Sequence, residues 1–149
     1  MSDLRDLYQE VILDHNRSPR NFGPLDDADL RADGHNPLCG DRLTIAAKIE
    51  DGVVTDIRFE GSGGAISKAS ASLMTEGVKG KTLDEVRALF DRFHRLVTDR
   101  DAPTDDPALG KLAVFAGVRD YPARVKCAVL AWHTLRAAVD DGPVVVSTE

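Results

Sequence analysis

The stretch NPLCGDRLTIAAKIEDGVVTDIRFE, residues 36–60, joins a cysteine-bearing turn to two runs in which apolar and mostly polar residues alternate. The runs cover residues 43–49 and 53–59, and this alternation is typical of half-buried β-strands. Between them stands Asp51-Gly52, a pair that favours a tight turn. The sequence therefore predicts a β-hairpin, with the cysteine-bearing turn directly ahead of it.

The turn itself, residues 36–41, places a thiol beside a carboxylate. Pro37 stiffens the chain and Gly40 permits a tight turn, so we expect Cys39 and Asp41 to point at the same place. Such a pair is unfavourable in a hydrophobic core and well suited to bind a metal ion. Cys127 is the second cysteine of the chain, so a site with two thiolates must bring it to Cys39.

Helical spacing and capping signals divide the remainder of the chain. A first amphipathic helix runs from Leu4 to before Ser18, followed by an irregular connection over residues 25–36. Further helices are predicted at 67–79, behind a capping box at 82–85, from 106 to 117, and from 121 to 140. The last is apolar around most of its circumference and is expected to be central. The tail at 144–146 adds a short edge strand or stays loose.

Composition narrows the class of protein. With 149 residues the chain is expected to form one domain, residues 1–149, that buries its own core. The net charge of −6 is spread along the chain and argues against nucleic acid as a partner. The glycine loop at 61–64 has neither dinucleotide-binding nor Walker spacing. Without a signal pattern or a long apolar run, we expect a cytoplasmic protein with no membrane contact.

Four motifs in order resemble the SufU proteins, within the IscU/NifU N-terminal family of iron–sulfur cluster assembly. They are NPLCGD at 36–41, FEGSG at 59–63, ISKASAS at 66–72 and PARVKC at 122–127. Lys126 before the last cysteine, where the scaffold branch has histidine, favours the SufU branch. So does the helical insertion at 81–102.

The resemblance implies an α+β fold, in which several helices pack against a small three-stranded antiparallel sheet. It also implies a zinc ion held by three cysteines and an aspartate, with Cys39, Asp41 and Cys127 as the ligands present. Cys39 would accept persulfide sulfur from a cysteine desulfurase of the SufS type, and Arg124 would contact that desulfurase.

Gly64 departs from the family pattern, because the second site cysteine is expected at this position. Three remaining ligands leave an open coordination place for water, a partner's side chain or a histidine, with His35 nearest in sequence. We therefore expect weaker zinc retention and impaired transfer.

Two other functions stay open. One is a scaffold for an iron–sulfur cluster, which Lys126 and the missing thiolate disfavour. The other is a partner-binding module without site chemistry. Taken alone, Cys127 is equally compatible with a buried core residue.

Overall fold

The computed structural model describes residues 3–38, 40–141 and 145–147. It is an α+β fold, as expected. The helices are α1 (Asp3–Arg17), α2 (Ala65–Val78), α3 (Leu83–Thr98) and α4 (Pro122–Asp141), with a 3-10 helix at Gly110–Val118. The strands are β1 (Leu30–Asn36), β2 (Asp41–Glu50), β3 (Val53–Ser62) and β4 (Val145–Ser147).

The predicted hairpin is confirmed. Strands β2 and β3 pair antiparallel on either side of Asp51 and Gly52, which both have positive φ, of 52° and 75°. Two positive φ values suit the right-handed twist of the flanking strands. Strand β1 pairs antiparallel with β2, which completes the three-stranded antiparallel sheet, and short β4 joins the other edge of β1 in parallel.

Strand β1 corrects the expectation of an irregular connection over residues 25–36. Its inward positions carry Ala32, Gly34 and Asn36, so the apolar alternation that marks a strand is missing. The reason is close packing, because a Cβ at Gly34 would collide with the Thr134 hydroxyl of α4. A small residue is required here, and the strand is stabilised by its two neighbours in the sheet instead of by large side chains.

The helices cover one another and the sheet as their apolar faces require. The capping box of α3 is present, with Thr82 accepting from the Glu85 N–H and the Glu85 carboxylate accepting from the Thr82 N–H. Trp132 of α4 is buried and stacks on Phe93 of α3 at 4.6 Å between ring centroids. Helix α4 contacts β1, β2, α2 and α3, which confirms its central place.

The region from 106 to 117 forms the 3-10 helix at Gly110–Val118 in place of the expected helix. Glycines at 110 and 117 and valines at 114 and 118 lower helix propensity here. Leu112, Phe115 and Val118 still bury themselves in the core. Among the described residues, no helix combines the length and the apolar composition needed to cross a membrane.

Candidate metal and sulfur site

Asp41 is the first residue of β2 and has no exposed surface. One carboxylate oxygen, Oδ1, accepts the backbone N–H of Gly64 at 2.8 Å, so Asp41 caps the start of α2 from a distant part of the chain. The other oxygen, Oδ2, is buried and has no hydrogen-bond partner among the described residues. A buried carboxylate oxygen in this state is costly unless a cation or a donor reaches it.

Gly63 and Gly64 differ sharply in what their backbone permits. Gly63 has φ of +148°, and a Cβ there would collide with the Asp41 carboxylate, so only glycine fits. Gly64 has φ −73° and ψ 166°, an ordinary extended conformation. Among the described residues, apart from the chain neighbours of Gly64, a Cβ at this position would have Asp41 Oδ1 alone within 4 Å, at 3.8 Å. A cysteine at this position would therefore fit beside Asp41 without strain.

Cys127 lies near the start of α4 and is half-buried. Its neighbour Ala128 accepts a hydrogen bond from Ser70 of α2 through its carbonyl, at 2.6 Å, so this turn of α4 packs on α2. Helix α4 ends at Asp141 and β4 begins at Val145, beside Asp33, so α4 runs roughly antiparallel to β1. Its first turns consequently lie at the end of the sheet that carries Asp41.

Cys39 lies outside the described residues, between Leu38 and Gly40. Leu38 is 73% exposed, and Gly40 has φ of +71°, a conformation that favours glycine and confirms the expected tight turn. In the β1–β2 register Asn36 stands directly opposite Asp41. The turn therefore lies between two buried polar residues, and its described residues Leu38 and Gly40 are exposed.

The donor types present fit a zinc ion. Asp41 offers one buried oxygen for single-point coordination, and thiolates are the soft ligands that zinc accepts alongside it. Within the described part of the chain, no group of three His, Cys, Asp or Glu side chains is assembled. The third expected ligand, Cys39, belongs to the part that is not described.

The histidines do not supply the missing ligand. His35 follows Gly34 and precedes Asn36 on β1, and alternation along a strand places it on the sheet face opposite Asn36 and Asp41. His15 is buried against Ser72 of α2, with Nδ1 and Oγ 2.7 Å apart. Burial lowers the pKa of His15 below its ordinary value, which disfavours the charged form inside the fold.

The other two histidines lie on the far side of α4, where they pack around Phe90 of α3. The ring centroids of His94 and His133 are 5.8 Å apart, and each ring also contacts Phe90. Burial, followed by the neighbouring His94, lowers the pKa of His133.

Arg124 lies on the exposed first turn of α4, and its guanidinium stacks over the ring of Tyr121 at 4.5 Å. Tyr121 is itself 48% exposed. A cation held on an exposed aromatic ring, at the site end of α4, is suited to contact a partner protein.

Sequence reasoning missed two buried polar groups. Asn36 accepts the Leu38 N–H through Oδ1 at 3.1 Å, and its Nδ2 has no partner among the described residues. Ser67 Oγ, in the first turn of α2, is buried and likewise unpartnered there. For Asn36, the sequence signal was its place before Pro37 at the start of the turn, and this signal does not show that the side chain is buried.

Known proteins are similar to this chain over most of its length. Residues 7–128 match the family model described as NifU-like N terminal domain. A Thermotoga maritima protein named iron-sulfur cluster assembly scaffold protein IscU is 42% identical, covering 89% of this chain and 92% of its own length. A Bacillus subtilis protein named zinc-dependent sulfurtransferase SufU is 39% identical, covering 93% and 92%.

A solved structure shows the same fold. It is a crystal structure from Fervidobacterium islandicum, described as a candidate iron–sulfur cluster assembly scaffold protein for the SUF system. The TM-score is 0.83 at 32% identity, with 91% of this chain and 98% of that chain covered.

Proposed function

We propose that this chain, which belongs to the NifU-like N-terminal domain family, accepts sulfur from a cysteine desulfurase for iron–sulfur cluster assembly. One relative is named as an iron–sulfur cluster assembly scaffold and another as a zinc-dependent sulfurtransferase, and cluster assembly supplied by sulfur transfer accommodates both names. The observation that supports a metal-assisted sulfur acceptor is the Asp41 carboxylate. It is buried, tied by one oxygen to the start of α2, and unpartnered at the other among the described residues.

In the proposed reaction, the Cys39 thiolate attacks the terminal sulfur of a persulfide on the desulfurase. A new sulfur–sulfur bond forms at Cys39, the old one breaks, and the desulfurase cysteine leaves as a thiolate. The terminal sulfur keeps its proton, and the exchange has no net oxidation or reduction. The neighbours of Cys39 in the sequence, Leu38 and Gly40, are both exposed, which suits this encounter, because a partner must reach the sulfur directly.

Asp41, Cys127 and Cys39 are the residues that would hold zinc. When bound, the ion supplies positive charge that keeps the thiolates deprotonated at neutral pH. Asp41 contributes a harder oxygen ligand, which exchanges more readily than a thiolate. Gly64 removes one thiolate from this set, so zinc is held more weakly than in a protein with cysteine there.

Arg124 is proposed as a desulfurase contact. Its stacking on Tyr121 holds the cation at the surface beside the end of the sheet that carries Asp41. A carboxylate on the partner would pair with it there, and the charge would steer the encounter more than it would add affinity.

A cluster scaffold is the second candidate, favoured by the 42% identity to a protein of that name. Lys126 and Gly64 count against it, because clusters are usually held by four soft ligands.

The experiment is stimulation of desulfurase turnover, measured as alanine release with and without the chain. Sulfur acceptance predicts stimulation by the unmodified chain, its loss in Cys39→Ser and a weaker effect in Arg124→Glu. Equal turnover with and without the chain would refute the proposal. Visible absorption of the purified protein after reconstitution with iron and sulfide would identify a scaffold instead.

A further inference from the structure

The backbone conformation at position 64 does not require glycine. Its φ and ψ are open to any residue, the position is exposed, and the nearest non-neighbouring atom that a Cβ would meet among the described residues is Asp41 Oδ1 at 3.8 Å. Gly63 next to it must be glycine, because a Cβ there would collide with Asp41. Within the described part of the chain, the lack of a side chain at 64 therefore leaves space at the surface beside a buried carboxylate.

The groups around this space lack partners that a ligand would provide. Helix α2 has no side-chain cap from Gly64, so backbone N–H groups of its first turn face the space. Ser67 lies three residues on, on the same side of the helix as residue 64, and its buried Oγ has no partner among the described residues. Asp41 Oδ2 is equally without a partner there.

These groups favour ligand atoms of opposite charge, and the ligand must satisfy both preferences. The first turn of α2 favours a negative atom, as helix N-termini do. The buried oxygen of Asp41 requires a cation close to it. A thiolate bound to a metal ion satisfies both requirements, since the sulfur faces the helix and the ion faces the carboxylate.

We propose that the space at Gly64 binds the thiolate of a small exogenous thiol, which completes the coordination of the metal. This inference rests on the proposed function, because it needs the ion held by Asp41 and Cys127. The metal site then has one coordination position that a thiol from solution fills instead of a cysteine of the chain. Its metal affinity therefore depends on the concentration of small thiols.

The test is Co²⁺ binding followed by absorption, because sulfur ligands on cobalt give a charge-transfer band and zinc gives none. The protein is kept reduced with a phosphine, and 2-mercaptoethanol is the probe. Ethylene glycol, with a hydroxyl in place of the thiol, is the control ligand. In the unmodified chain we expect the band to rise with 2-mercaptoethanol, saturate at one thiol per cobalt, and ignore ethylene glycol.

Two variants locate the effect. Gly64→Ala fits the backbone and occupies the space without offering a ligand, so at least tenfold more thiol should be required. Gly64→Cys supplies its own sulfur and should show the full band with no response to added thiol. An unchanged thiol titration in Gly64→Ala would overturn the proposal, since the thiol would then bind elsewhere.

The outcomes separate this inference from the proposed function. Cobalt bound with no thiol response refutes the exogenous ligand and leaves the metal site standing. Cobalt that does not bind in either condition refutes the metal site and the inference with it, whereas desulfurase stimulation would still measure sulfur acceptance on its own.

Discussion

Replacing Asp41 by asparagine should change the stability of the protein in opposite directions without and with metal. The amide oxygen of Asp41→Asn can still accept the Gly64 N–H, while the buried charge is removed and a neutral amide NH2 takes the place of the unpartnered oxygen. An unsatisfied buried group costs about 1–3 kcal/mol, and more when it is charged. We therefore expect metal-free Asp41→Asn to unfold with a free energy about 1–2 kcal/mol above that of the original chain.

Asp41→Ala is the matched control, because it removes the cap as well as the charge. Loss of a helix cap costs about 1 kcal/mol, so metal-free Asp41→Ala should be less stable than Asp41→Asn by roughly that amount. Excess zinc should stabilise the original chain by about 2.7 kcal/mol when free zinc is about 100 times the dissociation constant. Excess zinc should stabilise Asp41→Asn and Asp41→Ala by less than it stabilises the original chain.

The assay is urea unfolding followed by circular dichroism, once with a chelator and once with excess zinc. The order of the original chain and Asp41→Asn should invert between the two conditions. If Asp41→Asn lies below Asp41→Ala in chelator, the unpartnered oxygen is not a source of instability. If zinc stabilises Asp41→Asn as much as the original chain, Asp41 is not a ligand.

Three further predictions concern metal content, pH and packing. Gly64→Cys should retain close to one zinc per chain by elemental analysis after gel filtration, and the unmodified chain less, because a third thiolate as fourth ligand slows release; equal retention would contradict this. Burial lowers the folded-state pKa of both His15 and His133, so the unfolded state binds more protons and stability should fall as pH drops below about 6.5; His15→Gln and His133→Gln should each flatten this slope in urea titrations, and an unchanged slope in His15→Gln would refute the reasoning. Gly34→Ala should lower the free energy of unfolding by about 1–3 kcal/mol through collision with Thr134, and Thr134→Ala should restore part of it; additive losses in the double variant would argue against the contact.

Local patterns were sufficient for most of the fold. The hairpin was set by alternation around Asp51-Gly52, and α3 by its capping box, because both signals lie within a few residues of the structure they produce. Strand β1 was missed because its inward positions are adapted to the approach of Thr134, which is a hundred residues away from Gly34. Sequence spacing carries no information about that distance.

In the site, too, some features follow from local sequence patterns and others from tertiary packing. Asp41 was predicted as a ligand from its place in the turn, and the structure shows that it is fully buried. Its hydrogen bond to Gly64 joins two segments 23 residues apart, and no local pattern announces it. The unpartnered Nδ2 of Asn36 and Oγ of Ser67 are likewise products of tertiary packing.

The most direct test of sulfur acceptance is a single-turnover reaction with a cysteine desulfurase, read by the mass of the intact chain. We expect a mass increase of one sulfur atom in the unmodified chain, located at Cys39 by peptide mapping, with no increase in Cys39→Ser and with Gly64→Cys at least as fast. No added sulfur in the unmodified chain, under conditions where Gly64→Cys accepts it, would refute sulfur acceptance by this chain.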